Sequence, residues 1–132
     1  MSRIETREAV VRFVYQNAFR KESVEDQIAL FIDNYPELEE DRDFFLEMVF
    51  GILNEQEDLD ERISKFLSKW TINRLPRTDR AILETAAYEI LHREDIPVSV
   101  SINEAVRLAK RYGTEDSPSY INGVLSSFEK SL

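Results

Sequence analysis

The stretch LPRTDRAILETAAYEILHREDIPVSVSINEA, residues 75–105, decides the fold class. Pro76 with Thr78 and Asp79 reads as a helix start, because a proline's missing N–H is tolerated in the first turn. Leu83, Ala86, Ala87 and Ile90 then recur at spacings of three and four, the period of one helix face. Pro97 cannot continue a helix, so this one is predicted to run from residue 76 to about Arg93. Ser101 and Glu104 have the spacing of a capping box, which predicts a further helix from Ser101 to Tyr112. PVSVSI is the one short run of period-two alternation. The predicted fold class is all-α.

Helical spacing extends outward in both directions. Residues 4–20 place Val10, Phe13, Val14 and Ala18 on one stripe and Glu8, Arg12 and Gln16 on another. Ser23 is positioned to cap a helix carrying Ile28, Phe31 and Ile32, which must stop before Pro36. Residues 39–55 gather Phe44, Phe45, Met48, Val49, Ile52 and Leu53 on a broad apolar face, and residues 57–69 continue with Leu59, Ile63, Phe66 and Leu67. Downstream, Gly113 is expected as a left-handed C′ residue. Asp116 or Ser117 caps a last helix with Pro118 near its first position and Ile121, Val124, Leu125 and Phe128 inward. Gly123 inside that helix costs about 1 kcal/mol relative to alanine, which predicts close approach of a neighbouring helix. The expectation is about seven helices in one domain, residues 1–132. Two sequential helical subdomains, about 1–69 and 70–132, share a core.

Composition narrows the function. A chain of 132 residues with 42% hydrophobic residues can bury roughly two thirds of its unfolded surface. It has no cysteine and a single histidine, His92, which excludes disulfides, thiolate metal sites and multi-histidine metal sites. The N-terminus is charged from its third residue, unlike a signal peptide, and no apolar run approaches a membrane span. A soluble cytoplasmic protein is expected. There is no glycine-rich phosphate loop and no G-x-S-x-G, and a lone histidine without cysteine supports no nucleophile–base pair. The sequence therefore reads as a non-enzyme without a cofactor. His92, near a helix C-terminus, suits the helix dipole.

The net charge of −9 is unevenly spread. Residues 22–61 hold fifteen acids and one base, Arg42, a net −14, while the remainder holds eleven acids and sixteen bases, a net +5. A nucleic-acid surface outside residues 22–61 is therefore compatible with the acidic total. The acidic block reads as a solvated helical surface or as a docking face for a basic partner.

Tyr112 and Tyr120 flank the turn around residues 113–117, beside Lys110 and Arg111. One reading makes them core-edge rings with hydroxyls in water. The other makes them a stacking platform for single-stranded RNA. Lys110 and Arg111 then supply cations, joined by Arg3, Arg7 and Arg12 if the first helix packs alongside. Asp116 accepts hydrogen bonds from base amino groups or a sugar hydroxyl.

The segments KWTINRLPRTDRAILETAAYEIL and DIPVSVSINEAVRLAKRYGTEDSPSYINGVL, with TREAVVRFVYQ near the N-terminus, resemble the NusB family of bacterial transcription antitermination factors. The likeness is strong over residues 66–128. It implies an all-helical, non-enzymatic factor that pairs with NusE, a small-subunit ribosomal protein. The pair binds the boxA element of nascent RNA and joins other Nus factors on RNA polymerase, suppressing termination in ribosomal RNA operons. The resemblance places RNA contacts at Arg3, Arg7 and Tyr15 on the first helix. Around the turn it places them at Lys110, Arg111, Tyr112, Asp116 and Tyr120. The partner surface is expected at Asp79 and Arg80. Many relatives open with consecutive arginines, whereas this chain offers only Arg3 and Arg7, so its RNA affinity is expected to depend on NusE. The alternative is an acidic protein–protein module, or a homodimer, with little RNA binding of its own.

Overall fold

The computed structural model describes residues 1–68 and 70–132. Among them are seven α-helices and no strand: α1 (Arg3–Asn17), α2 (Val24–Asn34), α3 (Arg42–Asn54), α4 (Gln56–Ser64), α5 (Arg77–His92), α6 (Val98–Tyr112) and α7 (Ser117–Lys130). A short 3-10 segment, Pro36–Asp41, joins α2 to α3. The all-α expectation and the helix count are met. The helix expected over residues 57–69 ends at Ser64, and Lys69 lies outside the described residues.

Local chemistry sets most helix starts. Ser23 accepts from the Asp26 amide at 3.1 Å, as expected. Ser2 and Glu5 form a full capping box on α1 that the sequence reading passed over. The box expected at Ser101 and Glu104 does not form, because α6 begins three residues earlier, directly after Pro97. PVSVSI is the entry and first turn of a helix, and Ser101 faces the interior. Gly113 lies at φ −91° and ψ −169°, not in the left-handed region. Its glycine is needed because an added Cβ would sit 2.6 Å from Ser117 Cβ.

One hydrophobic cluster runs through both halves of the chain. Phe13, Phe31 and Phe45 form its aromatic centre, with ring centroids 5.5–6.0 Å apart. Helix α5 is the hub and packs on α1, α3, α4, α6 and α7. From Ala81 to Glu89 every residue of α5 is buried, so the helix is enclosed rather than amphipathic. Its contact with α3 depends on Gly51, where a Cβ would lie 2.1 Å from the Tyr88 hydroxyl oxygen. The glycine expected to mark a close approach, Gly123, has nothing within 4 Å of an added Cβ.

Three buried acidic side chains tie α5 to its neighbours. Asp79 accepts from Ser117 Oγ at 2.9 Å, which fixes the start of α7. Glu84 accepts from Gln56 Nε2 at 3.1 Å and lies beside Arg80, which donates to Asp60 at 2.6 Å. Glu89 accepts from Arg7 Nε at 2.9 Å and Ser101 Oγ at 2.5 Å, joining α1 and α6. Burial and then Asp60 push the Glu84 carboxyl up to about 9. Burial also raises Asp79, with Ser117 opposing it.

Candidate nucleic-acid interface

Helix α1 carries an outward stripe at spacings of three and four: Ile4, Glu8, Arg12, Tyr15 and Phe19, the last just past the helix end. Ile4, Tyr15 and Phe19 leave large apolar surfaces exposed. Three concavities follow this stripe in series and share residues where they meet. The first lies over Glu8 and Arg12, between Tyr35 and the α6 arginines Arg107 and Arg111. The second, about 400 Å³, shares Arg12, Phe31 and Tyr35 and adds Tyr15, Thr78 and Tyr112. The third is an open shelf that shares Tyr15 and adds Phe19, Arg20 and Lys21. Together they make a trough along α1, whose fifteen residues span about 22 Å.

Glu8 organises the α6 wall of the trough. Its carboxylate accepts from the Tyr112 hydroxyl at 2.6 Å and from Arg111 at 3.2 Å, and lies 3.6 Å from Arg107. Burial, and then the bond to Glu8, raises the Tyr112 phenol, so the hydroxyl stays protonated and donating. Arg111 lies 5.4 Å from the centroid of the Tyr112 ring. Tyr112 is thereby fixed as an exposed ring, 37% accessible, over the trough.

The structure separates the residues named from sequence. Tyr15 and Tyr112 line the same concavity, with Arg111 at its border and Lys110 exposed on the adjoining turn of α6. Arg3 sits about 18 Å from Tyr15 along α1. It pairs with Asp41 at 2.9 Å and lies 4.0 Å from the Phe44 ring centroid. Arg7 is only 5% exposed and spends its guanidinium on Glu89, so it presents no free cation. Asp116 is exposed at the N-cap of α7 with no side-chain capping bond. Tyr120 is half-buried against the core and its hydroxyl is enclosed. The two tyrosines therefore differ: Tyr112 offers a face, and Tyr120 belongs to the core edge. Asp79 and Arg80 do not form the surface expected of them. Asp79 is buried against Ser117, and Arg80 is held between Asp60 and Glu84.

Sequence reasoning missed Glu8 and Tyr35 as members of the site. Glu8 shares the outer stripe of Arg12 and Tyr15, which was a usable signal. Tyr35 precedes Pro36, and a residue before proline is pushed out of helical geometry. Tyr35 adopts φ −133° and ψ 69°, ends α2 and turns toward the trough.

Among the described residues no group of histidine, cysteine, aspartate and glutamate could hold a metal, and no helix is long and apolar enough to cross a membrane. The fold and site define an all-helical protein with an aromatic trough along α1, lined by both arginines and glutamates. The model of the NusB family matches residues 4–130. The transcription antitermination protein NusB of Acetivibrio thermocellus is 43% identical over 130 residues, covering 98% of this chain and 90% of that one. NusB of Bacillus subtilis is 40% identical over 132 residues, covering 100% and 98%. The structure of T. maritima NusB superposes with a TM-score of 0.87 at 37% identity, over 98% and 92% of the two chains. A chain from antitermination factors NusB and NusE in complex with dsRNA matches with TM-score 0.87 over the whole of both chains, at 21% identity, a likeness of fold. The chain belongs to the NusB family, a family of non-enzymatic transcription antitermination factors.

Proposed function

We propose that this protein binds single-stranded RNA of the boxA type along the α1 trough, as one half of a heterodimer with a NusE-type ribosomal protein. It thereby suppresses termination in ribosomal RNA operons, joined by other Nus factors on RNA polymerase. The observation that carries the reading is the convergence of Tyr15, Tyr112 and Arg12 on one concavity, beside Arg111 and Lys110. Aromatic faces with adjacent cations are what sequence-tolerant RNA contacts require. A structural neighbour, antitermination factors NusB and NusE in complex with dsRNA, supports the same protein pairing.

The charge distribution favours a basic partner. Arg3 and Arg7 are both engaged by carboxylates, and Glu8 meets the charges of Arg107 and Arg111. Few cations remain for phosphates, so counterion release by this chain alone is small. The basic partner is assigned to the acidic face in place of Asp79 and Arg80. There Leu30 is exposed between Asp26 and Asp33 on one face of α2, neither of which is ion-paired among the described residues.

Fluorescence anisotropy with a labelled boxA-like RNA tests this at two salt concentrations, for the protein, the NusE-type partner and their mixture. The mixture is expected to bind far more tightly than either component. A stable protein complex with no gain in RNA affinity would instead favour the acidic docking module. Self-association in sedimentation that excludes RNA would favour the homodimer.

A further inference from the structure

We infer that the middle of the trough is a pocket for one unstacked nucleotide, with its base against Tyr35 and Tyr112 and its phosphate on Arg12. This rests on the RNA reading above and adds to it a defined subsite built partly from the acidic segment.

Among the arginines, the electrostatics single out Arg12. Four arginines line the three concavities. Arg107 and Arg111 face Glu8, and Arg20 lies 3.9 Å from Glu22. Arg12 has no carboxylate partner among the described residues. Its guanidinium instead donates to the Tyr35 hydroxyl at 3.2 Å and lies 5.4 Å from that ring's centroid. No acid lines the 400 Å³ concavity that Arg12 enters. Arg12 also borders the first concavity, where Glu5, Glu8 and Glu37 lie, but its unpaired guanidinium on the acid-free side favours an anion there, and its planar fork matches a phosphate.

The walls favour a base beside that anion. Tyr15 and Tyr112 are 41% and 37% exposed and border the hollow, and Tyr35 closes it from α2. Phe31 backs the Tyr35 ring at 4.9 Å, and Glu8 tethers Tyr112, so neither ring is free to swing. Thr78, at the start of α5, adds a hydroxyl for a base edge or sugar. The volume is within the usual range for small-ligand pockets, roughly 300–1,000 Å³. Its residues come from α1, the end of α2, the start of α5 and the end of α6, so the pocket exists only in the folded chain.

The test uses Arg12→Gln and Tyr35→Leu in complex with the NusE-type partner. Each is titrated with labelled boxA-like single-stranded RNA across a salt series, and with RNAs carrying one abasic position at each site in turn. Thermal melts report folding, and Arg12 is an exposed residue whose replacement leaves the core untouched. Arg12→Gln is expected to weaken binding and lower the slope of log K against log salt by about one. Tyr35→Leu is expected to weaken binding about fivefold or more with the slope unchanged. One abasic position should cost the wild type affinity and cost Tyr35→Leu almost nothing. If the wild-type complex binds RNA and Arg12→Gln matches it in affinity and slope, the pocket is refuted while the RNA reading stands. If the wild-type complex binds no RNA, both fall together.

Discussion

The Tyr112 hydroxyl donates to Glu8 at 2.6 Å, across 104 residues of sequence. That bond joins the last turn of α6 to the outer stripe of α1 and holds an aromatic face over the trough.

Tyr112 and Tyr120 should respond differently to truncation. Tyr112→Ala is expected to weaken RNA binding by about 1–3 kcal/mol with little change in melting temperature, since the ring is exposed and the proposed role is base stacking. Tyr120→Ala is expected to lower stability by about 1–3 kcal/mol, because its ring packs on the core, with a smaller effect on RNA once folded. Melting curves beside anisotropy titrations check this, and equal losses of affinity at unchanged stability would return Tyr120 to the binding surface.

Arg7 is expected to behave as a structural residue. Arg7→Ala leaves Glu89 buried and short of its counter-charge, a loss of about 3–5 kcal/mol. Denaturant midpoints measure this. A variant of native stability with weakened RNA binding would show that Arg7 serves RNA instead.

The glycines of α3 and α7 should give opposite signs on replacement by alanine. Gly51→Ala drives a methyl into Tyr88 and is expected to cost about 1–3 kcal/mol. Gly123→Ala meets nothing and is expected to stabilise by about 0.5–1 kcal/mol through helix propensity. Paired chemical denaturation curves decide both.

Stability should decline as pH rises through neutrality. The Glu84 carboxyl titrates at about 9 in the fold, against 4.5 as its ordinary value. Between those values the folded state holds a proton that the unfolded chain has lost. Its contribution is complete below pH 4.5 and is lost as pH climbs toward 9. Glu84→Gln is expected to flatten this fall, and parallel pH profiles for the two proteins would contradict the assignment.

Helix periodicity was legible because apolar residues repeat at three and four along nearly the whole chain, and prolines 36, 76 and 97 mark ends that the fold respects. The roles of particular polar residues were not. Arg7 reads as an exposed cation, Asp79 as an exposed acid and Ser101 as a cap, yet each is buried against a partner 82, 38 and 12 residues away. Such pairings follow from how α1, α6 and α7 surround α5, and no local pattern encodes them. Tyr15 and Tyr112 were recoverable as a type of site, aromatic beside basic. Tyr35 was hidden because its segment is acidic and its turn depends on Pro36.

The most direct test of the central claim is amide chemical-shift mapping of the labelled protein, in complex with the NusE-type partner, as boxA-like RNA is added. The account predicts perturbations along the outer stripe of α1, at Tyr35, and at residues 110–112 on α6, with the Leu30 face changed by the partner alone. Perturbations confined to the acidic face of α2, or none on the α1 trough at saturating RNA, would contradict it.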